Sequence, residues 1–183
     1  VPPYHLQGLL RREIAPPAPH TRDVASREGR AGGPLWQLVD FRDPVPDPER
    51  AGLEAALQAA GLLDGWVMPG GEILDPDTHD TLLTPEAPIP HRHLGSVLLP
   101  AMEDSRDAPP PVSPEVVHRI LARIGLGPEA PEDPAPACRV SETGHWQLGP
   151  ARGAWSKPAS RYIGHAAREA ARSARLAEID AEF

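Results

Sequence analysis

Proline is the sequence feature that most restricts what this chain can fold into. The 183 residues include 25 prolines and 16 glycines, which together make up more than a fifth of the chain. This composition indicates long connecting segments around a core of modest size, although the length is sufficient for one domain. Other aromatic residues are scarce, so we expect the four tryptophans to pack in that core: Trp36, Trp66, Trp146 and Trp155.

The order of apolar and proline-rich stretches divides the chain into three parts. Residues 1–33 lack a sustained apolar period and are predicted to be a linker of low order. Residues 34–158 are predicted to form a small globular α+β domain with short antiparallel strands and two short helices. Residues 159–183 are predicted to begin a long coiled-coil-type helix.

Two stretches carry clear helix punctuation. In "PDPERAGLEAALQAAGLL", Asp47 is predicted to be the N-cap and Gly61 the C′ residue of a helix with one apolar face. In "SPEVVHRILARIGLG", Ser113 is predicted to cap a second helix and Gly125 to end it. These two segments are therefore the predicted helices of the domain.

Several short apolar runs are predicted strands. "PLWQLVDFR" is apolar on both faces and favours a buried strand, while "WVMPGGEIL" favours a tight hairpin. A small strand is expected at Thr81–Leu83. "CRVSETGHWQLG" and "ARGAW" indicate two or three further strands with turns at Gly144 and Gly149. "LGSVLLPAM" is short and apolar and is compatible with either a strand or a helix.

The net charge of −8 conceals a basic segment near the end of the chain. Residues 1–150 hold 12 basic and 22 acidic residues, whereas residues 151–175 hold six basic residues against Glu169 alone. The final helix is predicted to begin near Pro158 or Ala159, and spacings of 4, 3, 4 and 3 then place five side chains on one face. These side chains are Arg161, His165, Arg168, Arg172 and Arg175. Nucleic acid, a partner helix and solvent are all compatible with this face.

The sequence lacks the common signatures of catalysis. It contains no G-x-x-x-x-G-K-[ST] loop, no G-x-G-x-x-G turn, no G-x-S-x-G elbow and no H-E-x-x-H helix. Cys138 is the sole cysteine, which rules out an intrachain disulfide and a cysteine-rich zinc site. No run is long and apolar enough for a membrane span or a signal peptide. We therefore expect a cytoplasmic, non-enzymatic segment with no cofactor and no membrane contact.

One acidic and histidine-rich stretch is a weak candidate for metal binding. Asp75, Asp77 and His79 of "DPDTHD", followed by Asp80, could converge with His91 and His93 of "HRH", because carboxylates and imidazoles suit first-row metals. Turn formation by Asp-Pro-Asp is the favoured interpretation of the same residues, since aspartate accepts hydrogen bonds from nearby amides. A small metal-dependent enzyme stays open as an alternative function.

Three segments resemble a known family. They are "LWQLVDF", "AGLEAALQAAGLLDGWV" and "GAWSKPASRYIGHAAREAAR". Together they resemble an internal section of MukB-like SMC-family coiled-coil ATPases, the JetC-like subunit of type II Wadjet plasmid-defence systems. The resemblance covers about Gly32–Phe183; residues 75–135 match loosely and residues 1–31 hardly at all.

The resemblance implies a role for the chain as part of a larger protein. Such proteins carry ATPase heads at the chain ends, long coiled coils between them, and a globular element that interrupts the coil. This chain would be that hinge-like or mid-coil element, serving dimerisation, coil joining or DNA contact. The implied partners of the whole protein are DNA, kleisin-like and accessory subunits, and a Toprim-type nuclease. No ATP-site motif falls in this chain, so no catalytic residue is carried over.

The two chain ends fit this interpretation. The chain begins at Val1 rather than at methionine, and its predicted terminal helix reaches Phe183 without a capping signal. We therefore interpret the chain as cut from a longer protein. Besides the metal-dependent enzyme, a plain protein-interaction module is an alternative, with the terminal helix docking on a partner.

Overall fold

The computed structural model describes residues 14–70, 80–101, 109–127 and 136–181. Within these ranges the chain forms four α-helices: α1 (Leu35–Leu38), α2 (Asp47–Ala59), α3 (Pro114–Leu121) and α4 (His165–Ala181). The first four strands are β1 (Gly33–Pro34), β2 (Val39–Phe41), β3 (Trp66–Val67) and β4 (Leu82–Leu83). The other five are β5 (Leu98–Pro100), β6 (Gly125–Leu126), β7 (Cys138–Val140), β8 (His145–Leu148) and β9 (Ala151–Ala154). Short 3₁₀ turns occupy Val24–Arg27 and Leu94–Ser96.

The strands form three small sheets, with the orders β1-β3-β4, β2-β5 and β6-β7-β8-β9. The predicted antiparallel pairing holds for four of the six strand pairs, while β3–β4 and β6–β7 are parallel. Helices and short strands thus occur together, which agrees with the predicted mixed class. The structure does not show the predicted long coiled coil; the described part of the terminal segment is a single helix, α4, of 17 residues.

Helix α2 forms the centre of the domain. Leu53 and Leu57 are fully buried, as the apolar period predicts. Its end is closed by Gly61, whose φ of +75° lets the amide of Leu62 reach the carbonyl of Leu57 at 2.9 Å. Gly61 is therefore the predicted C′ residue. The helix begins one residue earlier than predicted, with Pro46 rather than Asp47 at the N-cap.

Helix α3 starts as predicted but ends sooner. The Ser113 side chain accepts a hydrogen bond from the Val116 amide at 3.4 Å, which confirms the cap. The helix stops at Leu121, and Gly125, predicted as its end, belongs to β6. The reason is tertiary, since Gly125 pairs with Arg139 of β7 and bridges to His93.

The prediction that "PLWQLVDFR" forms a single strand is wrong. Its first half is the short helix α1, and Val39–Phe41 alone continues as strand β2. The amide of Leu35 donates to the carbonyl of Gly65, and that of Trp36 donates to the carbonyl of Leu63. Because these contacts lie far along the chain, the apolar pattern could not distinguish the helical turn from a strand.

The region predicted to be a linker is in part docked on the domain. Residues 1–13 lie outside the described residues, whereas residues 14–33 lie against the fold. The Trp66 indole donates to the carbonyl of Ala31 at 2.9 Å, and Gly33 pairs with Val67. The described part of this segment thus contacts the domain through hydrogen bonds and strand pairing.

Two of the tryptophans confirm their predicted role in the core. Trp36 is 2% exposed and Trp66 is 7% exposed, while Trp146 is half-buried against the core. Trp155 is 46% exposed, so the prediction is wrong for this residue. It lies just past β9, where its amide donates to the Gly144 carbonyl. Within the described ranges, no helix combines the length and the apolar composition needed to cross a bilayer.

Candidate functional site: the root of the C-terminal helix

Residues 155–164 connect β9 to α4, and we call them the exit segment. Tyr162 and Ile163 of this segment are buried, although it contains no helix or strand. Helix α4 begins at His165, several residues later than the predicted start near Pro158 or Ala159. The amides that would have begun the earlier helix are bonded to a side chain of another helix instead.

That side chain is Glu54 of α2, which is fully buried. Its Oε1 accepts hydrogen bonds from Lys157 Nζ and from the Arg161 amide, the latter at 2.7 Å. Its Oε2 accepts three more, from Ser160 Oγ and the amides of Tyr162 and Ile163, at 2.9, 3.0 and 2.9 Å. Five donors from the exit segment thus converge on one carboxylate.

This arrangement compensates a charge that would otherwise be costly. An ionised carboxylate without partners in the interior is strongly disfavoured, whereas one with an opposite charge and several donors is tolerated. The amides of Arg161, Tyr162 and Ile163 point to one side and form a small concave anion site. Because three of the five donors are main-chain groups, the carboxylate fixes the path of the backbone itself.

Lys157 supplies the compensating positive charge. Its ammonium also donates to Gln58 Oε1 at 2.9 Å and lies 4.4 Å from the centroid of the Tyr162 ring. Burial lowers the pKa of Lys157, and the hydrogen bond and charge of Glu54 oppose that shift in part. Glu54 therefore limits the decrease in the pKa of Lys157 that burial causes.

Gly164 makes the turn between the exit segment and α4. Its φ is +86°, a conformation that favours glycine. A Cβ atom at this position would lie 2.6 Å from Oδ1 of Asp40 on β2. The helix therefore leaves the domain through a turn that leaves no room for a side chain.

The first turns of α4 lie against the domain. Arg168 donates to the carbonyl of Tyr162 at 3.0 Å, and its guanidinium carbon lies 5.7 Å from the centroid of the Trp36 ring. Ala171 is 7% exposed on the same side. We call the exit segment and the first two turns of α4 the root of the helix. This root is held by the Glu54 contacts and by the side chain of Arg168.

The predicted basic face is only partly realised. Arg161 lies before the helix and His165 is its first residue, both exposed. Arg172 pairs with Glu169 at 2.8 Å, and Arg175 pairs with Glu178 at 3.1 Å, within α4 itself. Of the five predicted side chains, Arg168 is used for packing, whereas Arg172 and Arg175 remain 41% and 62% exposed.

The predicted metal ligands are not brought together among the described residues. Asp75, Asp77 and His79 lie outside the described ranges. His93 Nδ1 accepts from the Gly95 amide at 3.1 Å, which caps a 3₁₀ turn, and Asp80 binds arginines. No group of three or more potential metal ligands occurs in the part of the chain that the structure describes.

Glu54 was missed by the sequence analysis, although a signal for it exists. It is the sole charged residue within "AGLEAALQAAGLL", on a helix that is otherwise apolar there. A lone carboxylate in such a run calls for a buried partner. The partners were not identifiable, because the Arg161 amide lies 107 residues away in the chain.

No protein-family model, curated protein or solved structure matches this chain. The role of the helix root is therefore inferred from its contacts and from the residues that it joins.

Proposed function

We propose that this chain is a non-catalytic hinge-like or mid-coil segment of an SMC-like ATP-binding protein that handles DNA in anti-plasmid defence. Its task is to join a globular domain to a coil-forming helix in a fixed direction. The observation that carries this proposal is the set of five hydrogen bonds from the exit segment to the carboxylate of Glu54.

A fixed root is what a joining element requires. A flexible connection would let the helix point anywhere, so a force or rotation on the helix would not reach the domain. Here main-chain amides are bonded to a buried side chain of α2, and Arg168 holds the first turns. We therefore expect movement of α4 to be transmitted to α2 and to the sheet β6–β9 packed on it.

The residues of the family-like motif "GAWSKPASRYIG" support this role. Lys157 pairs with Glu54, Ile163 is 1% exposed, and Gly164 makes the turn into α4. These are structural positions rather than catalytic ones. A resemblance that includes such positions is expected where the geometry of attachment, not a reaction, is the common property.

DNA contact in this proposal rests on Arg172 and Arg175. Arg175 is exposed and Arg172 is partly exposed, and surface ion pairs such as theirs contribute only about 0.2–1 kcal/mol each, so phosphate groups can compete for them. Arg172→Glu plus Arg175→Glu is expected to abolish salt-dependent DNA binding by the chain. Binding that is unchanged in this variant would remove DNA contact from the role of α4 and leave coil joining and dimerisation.

The joining role is tested by a distance measurement across the root. In a Cys138→Ala background, spin labels at Arg119→Cys on α3 and Ala174→Cys on α4 report the direction of the helix. We expect a narrow distance distribution, which broadens when Glu54 is replaced by glutamine. A distribution that is equally broad with and without Glu54 would overturn the joining role.

The family-level role is tested separately by the flanking reading frame. Heptad-bearing arms on both sides, with an ATP-site loop beyond them, are expected. A frame that encodes neither arms nor an ATP site would contradict the SMC-like assignment. The plain interaction module would then be the function to pursue, with the same fixed helix presented to a partner.

A further inference from the structure

The outer face of the sheet β6–β9 carries a row of polar side chains. Arg139 of β7 is paired in register with Gln147 of β8, which is paired with Arg152 of β9. Residues that face each other across neighbouring strands lie on the same side of a sheet. The three side chains therefore form one row across three strands.

The opposite face of the sheet is occupied by the core. Val140 is fully buried, and Trp146 and Leu148 pack against the core. Because successive residues of a strand point to opposite faces, Arg139 and Gln147 point away from the core. Arg152, two strands from Arg139, is exposed.

A cavity of about 410 Å³ opens on this face. Its lining includes Gly127, Arg139, His145, Gln147, Arg152 and Ala154. The volume lies in the range of roughly 300–1,000 Å³ that small-molecule sites occupy. Among the described residues that line it, none is acidic.

The two arginines are available for a ligand. Among the described residues, no carboxylate forms an ion pair with Arg139 or Arg152, in contrast to Arg22, Arg27 and Arg30 elsewhere in the fold. Gln147 Nε2 donates to the carbonyl of Gly149 at 3.0 Å, and Gln147 Oε1 takes no part in that hydrogen bond.

His145 adds a third polar group to the same cavity. Its Nδ1 lies 3.0 Å from Thr143 Oγ1, which orients the ring through one nitrogen. The second nitrogen takes no part in that contact. Two guanidinium groups, an oriented imidazole and an amide thus surround one concave space on a chain whose net charge is −8.

We propose that this face is an anion site that binds phosphate groups. The guanidinium fork matches the oxygen atoms of phosphate, with two parallel N–H donors to two oxygens. Arg139 and Arg152 are two strands apart, about 10 Å between their Cα atoms, so their side chains can approach one phosphate from opposite sides. This site is distinct from the α4 surface and does not depend on the joining role.

Phosphate can reach the site from two sources, a free phosphate compound or the backbone of a nucleic acid. The test therefore uses two probes on the whole chain at low salt: inorganic pyrophosphate, and a short single-stranded oligodeoxythymidine. The cavity variant is Arg139→Gln plus Arg152→Gln. The matched control, Arg42→Gln plus Arg119→Gln, removes the same charge from two exposed positions that do not line the cavity.

We expect at least one probe to bind, with the cavity variant weakening its affinity about tenfold for each arginine removed. If the oligonucleotide is the ligand, the slope of log K against log salt falls by about 0.7 for each lost contact. If pyrophosphate alone is bound, a free phosphate compound is the source.

Two results overturn the proposal. One is that neither probe binds at low salt. The other is that the cavity variant and the control lose affinity equally, which would assign binding to overall charge. The thermal unfolding temperature of both variants is expected to match the wild type, because the replaced side chains lie outside the core. A role for α4 in DNA binding is judged independently, from Arg172→Glu plus Arg175→Glu.

Discussion

The N-terminal segment and the C-terminal helix are both attached to the domain through buried carboxylates, but the attachments differ in kind. On the N-terminal side, arginine side chains from residues 22–30 reach Asp64 and Asp80. On the C-terminal side, Glu54 receives main-chain amides together with Lys157 and Ser160. One attachment is made by long side chains and the other largely by the backbone.

The N-terminal attachment is a largely buried ionic cluster, whose side chains are 2–14% exposed. Asp80 accepts from Arg27 at 2.7 and 2.8 Å and from Arg30 at 2.8 Å, and its side chain is 2% exposed. Arg27 also lies over the Trp66 ring, 4.8 Å from its centroid. Burial acts to raise the pKa of Asp80, but hydrogen bonds from Arg27, Thr81 and Arg30 outweigh it and lower that pKa below 3.8.

The two attachments are expected to break in different ways. Arginine side chains can rotate, exchange partners and be screened by salt, so a segment held by them can detach while the domain stays folded. Main-chain amides cannot leave Glu54 without a change in backbone path. We therefore expect the N-terminal attachment to be reversible and the C-terminal attachment to fail only together with the fold.

The largest expected effect is that of Glu54→Ala. The substitution leaves Lys157 and the amides of the exit segment buried without their acceptor, which costs about 3–5 kcal/mol of unfolding free energy. Chemical denaturation measures the loss, with Glu169→Ala on the surface of α4 as the control at about 0.5 kcal/mol or less. A loss below about 1 kcal/mol would show that the root is held by apolar packing instead.

Asp80→Asn is expected to have the next largest effect, about 2 to 3 kcal/mol. The amide side chain cannot satisfy both Arg27 and Arg30, so residues 14–33 should detach and become sensitive to trypsin before the domain unfolds. Asp43→Asn, at an exposed position, is the control. Unchanged cleavage in Asp80→Asn would mean that Trp66 and β1 hold the segment without the charges.

The same aspartate predicts a dependence on pH. Because its pKa is lowered in the fold, ionised Asp80 contributes stability above its ordinary pKa of 3.8, and this contribution is lost as the pH falls through the lower folded value. Asp80→Asn should remove that part of the acid slope in denaturation curves. An identical slope in the variant would contradict the prediction.

Gly61, at the end of α2, and Gly164, before α4, both have a positive φ. Alanine substitutions at these two positions separate the cost of backbone strain from the cost of steric crowding. Gly61→Ala meets no atom within 4 Å, so its cost is the backbone conformation alone, about 1 kcal/mol. Gly164→Ala also forces the new Cβ against Asp40, which adds about another 1 kcal/mol. Denaturation midpoints of the two variants give the difference. Equal midpoints would show that β2 and α4 can separate at this contact.

Raising the salt concentration is expected to have the smallest effect of these tests, and to act on the N-terminal attachment alone. Raising the ionic strength from about 0.1 to 1 M shortens the screening length from roughly 10 to 3 Å. Trypsin cleavage within residues 22–30 should then accelerate only about twofold, because the paired side chains are 2–14% exposed and salt screens such pairs much less than surface pairs. Hydrogen exchange at the amides of Tyr162 and Ile163 should stay constant. A salt response at those amides would remove the contrast between the two ends.

Local signals in the sequence were sufficient for the helix and strand elements that depend on neighbouring residues. The end of α2 at Gly61, the cap of α3 at Ser113 and the β7–β9 strands with turns at Gly144 and Gly149 were predicted correctly. In each case a capping side chain or a positive-φ glycine lies within a few residues of the element that it ends.

Elements that depend on distant partners were predicted less well. The α1 turn follows from bonds to Leu63 and Gly65, and the short α3 follows from the pairing of Gly125 in β6. The docking of residues 14–33 requires Asp64 and Asp80, which are 37 and 53 residues from Arg27. Hydrophobic periodicity and residue propensity depend on neighbouring residues, so they cannot predict contacts between residues far apart in the chain.

The candidate site, too, was predicted only where it depends on neighbouring residues. By itself, the sequence determined that a basic, alanine-rich helix follows the domain, and it contains a signal for Glu54, the sole charged residue of "AGLEAALQAAGLL". Only the tertiary structure decided that the helix begins at His165 and that Arg168 packs on Trp36. The physical reason is that a buried carboxylate must find donors, and in this fold it takes them from the backbone of the exit segment.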